Sequence, residues 1–242
     1  MDVEAEREHL LEQIRQHAEP EYQKGSSMVM RTQLVVYGVR VPRLREIARA
    51  WQRAHKDVTS EELIALVEAL WNGRSQEERA LAIELLARYP RRIPKLAWSH
   101  FDRWRRLVDH WGLTDALGTR LLAPWLLADP DARLDHLREL IADEDVWSRR
   151  LALVATVPIN RGHTGLTLPD LTLRLVDRVK AERHPMIIKA VSWALREMTK
   201  THRDRVLTYL EENREVLAPL VVREVSNKLR TGLKSGKAAN ML

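Results

Sequence analysis

The stretch LVDHWGLTDALG, residues 107–118, places an indole, Trp111, and a carboxylate, Asp115, four residues apart. On a helix that spacing stands the two side chains one turn apart on one face. Gly118 leaves bare backbone beside them. One reading is a pocket for a cationic substrate, lined by a carboxylate and an aromatic face. The plainer reading is structural: Trp111 fills a core, Asp115 sits in a first turn where the helix macrodipole favours it, and Asp109 or Thr114 caps the helix. The chain has eight tryptophans and one phenylalanine, so tryptophan does much of the aromatic core filling and no single indole is diagnostic.

A second cluster lies in HPMIIKAVSWALREMTK, residues 184–200. At helical periodicity Ile188, Val191, Leu195 and Met198 form an apolar stripe, and Lys189, Trp193, Arg196 and Lys200 form another on the opposite side. An aromatic ring among cations is what a surface that grips phosphates and touches a sugar or base uses. Burial of Trp193 by a neighbouring helix is the alternative. In EDVWSRRLALVATV, residues 144–157, Trp147, Leu151 and Val154 share a core face. Arg150 lies at the edge of that face, placed to reach a groove, and Arg149 points elsewhere; both also read as solvated charge. The closing run VVREVSNKLRTGLKSGK sets Arg223, Arg230, Lys234 and Lys237 along one side, as phosphate contacts or as a solvated cationic end.

Other chemistries are poorly supplied. The nine histidines include no HExxH and no pair at metal-ligand spacing, so neither metal nor cofactor is expected. There is no cysteine, no glycine-rich phosphate loop and no serine in a nucleophile elbow. Carboxylate, aromatic and arginine groups are what remains.

Composition frames these residues. The 242-residue chain is 45% hydrophobic and 31% charged, which suits a folded globular protein. Its net charge of +6 favours polyanionic partners, nucleic acid or an anionic membrane surface. No run approaches the roughly 18 apolar residues of a membrane span, and the charged N-terminus has no signal-peptide core. The expectation is a cytoplasmic, nucleoid-associated monomer.

Nearly every segment repeats with helical period, as Leu63, Leu66, Val67 and Leu70 do, or Ala82, Leu85, Leu86 and Tyr89. TQLVVYGVRVP is the exception, briefly extended before Pro42 opens a helix. Prolines recur at short intervals, and N-cap signals match them: Thr59 before Glu61 and Glu62, Ser75 before Glu77 and Glu78, Asp129 before Pro130. The pattern predicts about twelve helices of ~10–15 residues. Such helices, paired through short turns, form an all-α solenoid of antiparallel HEAT-like repeats, expected to be a single domain over residues 1–242. PINRGHTGLTLP, residues 158–169, reads as one long surface loop.

YGVRVPRLREIARAW, LVDHWGLTDALG, DVWSRRLALVA, IIKAVSWALREMTK and REVSNKLR, in that order, resemble the AlkD-type DNA alkylation repair enzymes, HEAT-like-repeat glycosylases that excise N3- and N7-alkylated purines. The likeness runs from about Met30 to Leu229. It implies that Trp111, Asp115 and Trp193 line an active cleft and that Arg150 contacts the DNA backbone near the lesion. It further implies a basic concave surface that grips double-stranded DNA containing alkylated purines without a base pocket. Two positions depart from the family pattern: Val29 stands where a tyrosine is common, and Gly112 replaces an acidic residue in the WDLVD motif. Two competing functions are expected from other classes. A non-catalytic HEAT-repeat binder of distorted or branched DNA would have no use for a carboxylate facing phosphates. A protein-interaction scaffold would not carry the Lys189, Trp193, Arg196 and Lys200 stripe.

Overall fold

The protein, seen in a computed structural model, is described at residues 1–162 and 165–235. The described chain is all-α, and its β pairing is one isolated parallel bridge between Val35 and Ser75. Two compact units divide it, Met1–Ala128 and Asp129 onward.

The first unit holds α1 (Val3–Gln16), α2 (Pro20–Met30), α3 (Val41–Ala54), α4 (Ser60–Trp71), α5 (Gln76–Leu86), α6 (Trp98–Arg106), α7 (Trp111–Leu117) and α8 (Ala123–Ala128). Capping boxes start two of them: Thr59 with Glu62 opens α4, and Ser75 with Glu78 opens α5. In this unit α3 packs on α5 and α5 on α7, while α4 lies against α1 and α5. The core is aromatic at its heart. Trp71 stacks on Trp104 with centroids 5.5 Å apart, and Phe101 and Trp125 close in at 5.1 Å.

Buried carboxylates hold the backbone between these helices. Glu77, 1% exposed, accepts the amides of Tyr37, Gly38 and Val39, which shapes the extended segment before α3. Gly38 has φ +84°, and a side chain there would run into Gln23. Asp109 accepts the Thr32 hydroxyl and the Gln33 amide, tying that same segment to the turn before α7.

The second unit holds α9 (Pro130–Arg133), α10 (Asp135–Ile141), α11 (Val146–Ile159), α12 (Pro169–Val179), α13 (Pro185–Met198), α14 (Arg203–Glu212) and α15 (Pro219–Thr231). Here the helices fall into two rows. One row stacks α11 on α13 and α13 on α15; in the other, α12 and α14 each lie against two consecutive members of the first. That alternation is the solenoid-like packing expected from periodic helices in short pairs. Helices between residues 98 and 141 are shorter than the sequence period suggested, several under eight residues. The 158–169 loop begins later than expected, because α11 carries Pro158 within its last turn. Asn160 then anchors the loop, bonding Thr172 at 2.7 Å and the Leu168 amide at 2.9 Å.

Candidate active site and nucleic-acid interface

The segment around Asp115 is built from an unusual cap and an unusual turn. The N-cap of α7 is His110, neither Asp109, which is turned to Thr32 and Gln33, nor Thr114, whose hydroxyl donates back to the His110 carbonyl at 2.9 Å. His110 Nδ1 accepts the Gly112 amide at 3.1 Å. An accepting Nδ1 places the ring proton on Nε2. The ring is 1% exposed, and Nε2 has no hydrogen-bond partner among the described residues. Burial pulls the imidazole down to about 4, with Arg79 adding to the shift and Asp109 opposing it. The cap also accounts for Gly112. A Cβ at that position would stand 3.1 Å from two atoms of the His110 ring, so the glycine and the histidine cap go together.

At the far end, α7 runs without a break into a π turn, Gly118–Leu122, and then α8. Pro124 has no N–H for the Arg120 carbonyl. The π turn absorbs the mismatch, with the Ala123 amide donating to Gly118. Such turns recur at functional sites. Asp115 therefore sits past the first turn of its helix, where the macrodipole gives a carboxylate no support. Asp115 is not a first-turn acid. Trp111 and Asp115 are both half-buried, one turn apart on α7.

Tryptophans divide by environment. Trp51, Trp71, Trp104 and Trp125 are core; the Trp51 indole donates to Glu6 at 2.7 Å and the Trp125 indole to the Leu96 carbonyl at 2.8 Å. Trp111 and Trp193 are half-buried and make no ring stacking or side-chain hydrogen bond among the described residues.

In the second unit, Trp193 lies on α13 with Lys189, Arg196 and Lys200. Lys189 is exposed and Lys200 pairs with Glu197 at 2.7 Å. Arg196 is drawn inward, its Nε donating to Ser192 at 3.2 Å and its charge facing Glu224 of α15 at 3.6 Å. Burial lowers its pKa against the opposing pull of Glu224 and Glu197. Arg196 thus belongs partly to the α13–α15 contact.

The two α11 arginines are both engaged within the unit. Arg150 is 5% exposed, not a solvated charge, and its Nη1 donates to the Met186 carbonyl at the start of α13 at 2.6 Å. Arg149 holds Glu182 with two bonds, 2.7 and 3.1 Å, and donates to the carbonyls of Asp143 and Glu144. Its expected phosphate contact gives way to a structural role, because those donors are already committed. Arg223 and Arg230 are exposed along α15 and make no ion pair among the described residues. Lys234 reaches Glu224 at 3.2 Å, and Lys237 lies outside the described residues. Val29 is 65% exposed on α2, beside Met28 at 73%.

Comparison with known proteins places this arrangement. A structure described as a predicted DNA alkylation repair enzyme from Enterococcus faecalis is similar at 23% identity, with a TM-score of 0.70, over 89% of this chain and 98% of that one. The structure of smu.31 from Streptococcus mutans UA159 is similar at 15% identity and a TM-score of 0.54, over 80% and 97% of the two chains. At these identities the likeness speaks to fold. No curated protein matches significantly. The family model for DNA alkylation repair enzyme matches residues 10–229, and on that match the chain belongs to the DNA alkylation repair enzyme family.

Proposed function

We propose that the protein is a monofunctional DNA glycosylase that hydrolyses the N-glycosidic bond of cationic N3- and N7-alkylated purines in duplex DNA. The observation that carries this reading is the Trp111–Asp115 pair: both half-buried, Trp111 at the start of α7 and Asp115 one turn on, between a histidine cap and a π turn. Membership of the repair family supports it.

The chemistry needs little else. An N3- or N7-alkylated purine already carries a positive charge. When the bond from sugar C1′ breaks, its electron pair goes to the base, which departs neutral without an acid to protonate it. The sugar is left oxocarbenium-like. The Asp115 carboxylate stabilises that charge and orients water, whose oxygen bonds to C1′ as its proton is released. The Trp111 indole adds cation–π attraction, worth ~0.5–2 kcal/mol, and the reading gives Trp193 the same role. Lys189, Arg223 and Arg230 supply phosphate contacts that position the duplex without reading sequence. Arg150, buried and bonded to the Met186 carbonyl, braces the start of α13, the helix that carries Lys189 and Trp193. Bases are left in the helix, so recognition rests on lesion charge and backbone geometry, unlike enzymes that flip a base into a pocket.

The test is release of 7-methylguanine and 3-methyladenine from methylated duplex DNA under single-turnover conditions. Release supports the reading. Binding of duplex without release of either base would leave a non-catalytic DNA binder. A finer check is Trp193→Ala, expected to slow release about tenfold, in keeping with one lost cation–π contact. An unchanged rate would assign that indole to packing.

A further inference from the structure

Guanidinium groups converge on one buried carboxylate in the first unit. Glu84 of α5 is 4% exposed, and it pairs with Arg45 of α3 at 3.2 Å and with Arg120 of the π turn at 2.8 Å. Arg49, one turn beyond Arg45 on α3, is exposed and makes no ion pair among the described residues. Arg88, in the turn that follows α5 and four residues beyond Glu84, is exposed as well. It exchanges hydrogen bonds with Gln52 of α3, donating through Nε at 2.9 Å and accepting at its carbonyl at 2.8 Å. Two positive charges thus pair with one negative charge, and two more stand one turn away along the chain.

That excess is not what a structural bridge requires. One arginine on Glu84 would neutralise it, and the second already joins α3 to the π turn. Arg45 and Arg49 repel each other at i, i+4 on α3, and half-buried Arg120 has a buried Nε with no hydrogen-bond partner among the described residues. Burial lowers the Arg120 pKa, and Arg45 and Arg88 press in the same direction while Glu84 opposes. A phosphate oxygen brought to this surface would offset the repulsion among these guanidinium groups. Guanidinium donors suit it better than ammonium groups, because their planar forks match phosphate geometry. The cluster sits on the packed row of α3, α5 and α7, and Arg120 follows Asp115 by five residues along one continuous helical run.

We propose that Arg45, Arg49, Arg88 and Arg120 form a binding site for backbone phosphates of duplex DNA, with Glu84 as the buried counter-charge that holds two of them in place. This rests on the proposed function for the identity of the polyanion, and on the geometry of the first unit for the site.

The experiment measures affinity of the full-length protein for an unmodified duplex by fluorescence anisotropy across a salt series. The double substitution Arg49→Ala/Arg88→Ala removes two exposed side chains and leaves the Glu84 pairs intact; Arg106→Ala, on α6, is the control. The double variant is expected to lower the slope of log affinity against log salt by about two, with at least tenfold weaker binding of damaged and undamaged duplex alike, and the control to change neither. An unchanged slope in a variant with wild-type circular dichroism overturns the site and leaves the glycosylase reading standing. A reduced slope in a protein that releases no base keeps the site and removes the glycosylase reading. If the wild type binds no duplex, both fall.

Discussion

Asp115→Asn is expected to slow single-turnover release of 7-methylguanine by about 10²–10³-fold, the range seen when one preorganised electrostatic group is removed from a transition state. The substitution keeps the size and polarity of the side chain and removes only its charge. Asp115 lies past the first turn of α7, so no helix-dipole stabilisation is lost with that charge. The amide keeps the size and hydrogen-bonding capacity of the side chain, so the fold should persist, which circular dichroism will verify. Duplex affinity should stay level or rise, because removing a negative charge cannot weaken attraction to phosphates. The pairing of the two effects is the informative part. A variant that still excises at the wild-type rate removes Asp115 from the chemistry. A variant that loses binding in proportion to rate makes it a docking residue.

How much of this was legible in the sequence follows from the distance over which each feature is decided. The capping boxes at Thr59 and Ser75 are complete within four residues, and both form as read. Helical period is equally local, and Leu63, Leu66, Val67 and Leu70 are all fully buried. The family was legible from five ordered motifs, and the matched region, residues 10–229, covers all of them but the last residue, Arg230. The misreadings involve partners far along the chain. Asp109 looks like the cap of α7 until Thr32 and Gln33, more than 70 residues away, are seen to occupy it. Arg149 and Arg150 look alike in sequence; Glu182 and the Met186 carbonyl decide what each does. The cluster around Glu84 draws on α3, α5 and the π turn, and no local pattern announces it. One signal was available: Pro124, inside an otherwise helical run, marks a break in register near Asp115.

The second large effect concerns acid. His110 is held neutral at the start of the helix that carries Asp115, with its pKa lowered by burial to about 4 from an ordinary 6.5. In the unfolded chain the imidazole takes up a proton as pH falls through 6.5; in the folded chain it does not until about 4. The unfolded state therefore binds more protons throughout that window, and stability falls with pH across it. The full contribution is present above pH 6.5, and below about 4 the loss levels off at roughly 3 kcal/mol. Protonation also converts Nδ1 from acceptor to donor, so the cap on the Gly112 amide is lost in the same step. His110→Asn keeps an acceptor at the cap position and does not titrate. Urea unfolding of both proteins between pH 7.5 and 4 should give midpoints that diverge as pH falls, the wild type losing stability faster by about one proton's worth of slope. The difference between the two curves cancels the carboxylates they share. Parallel curves would mean that the ring is protonated in the fold as readily as in water, and that the buried neutral cap does not exist in solution.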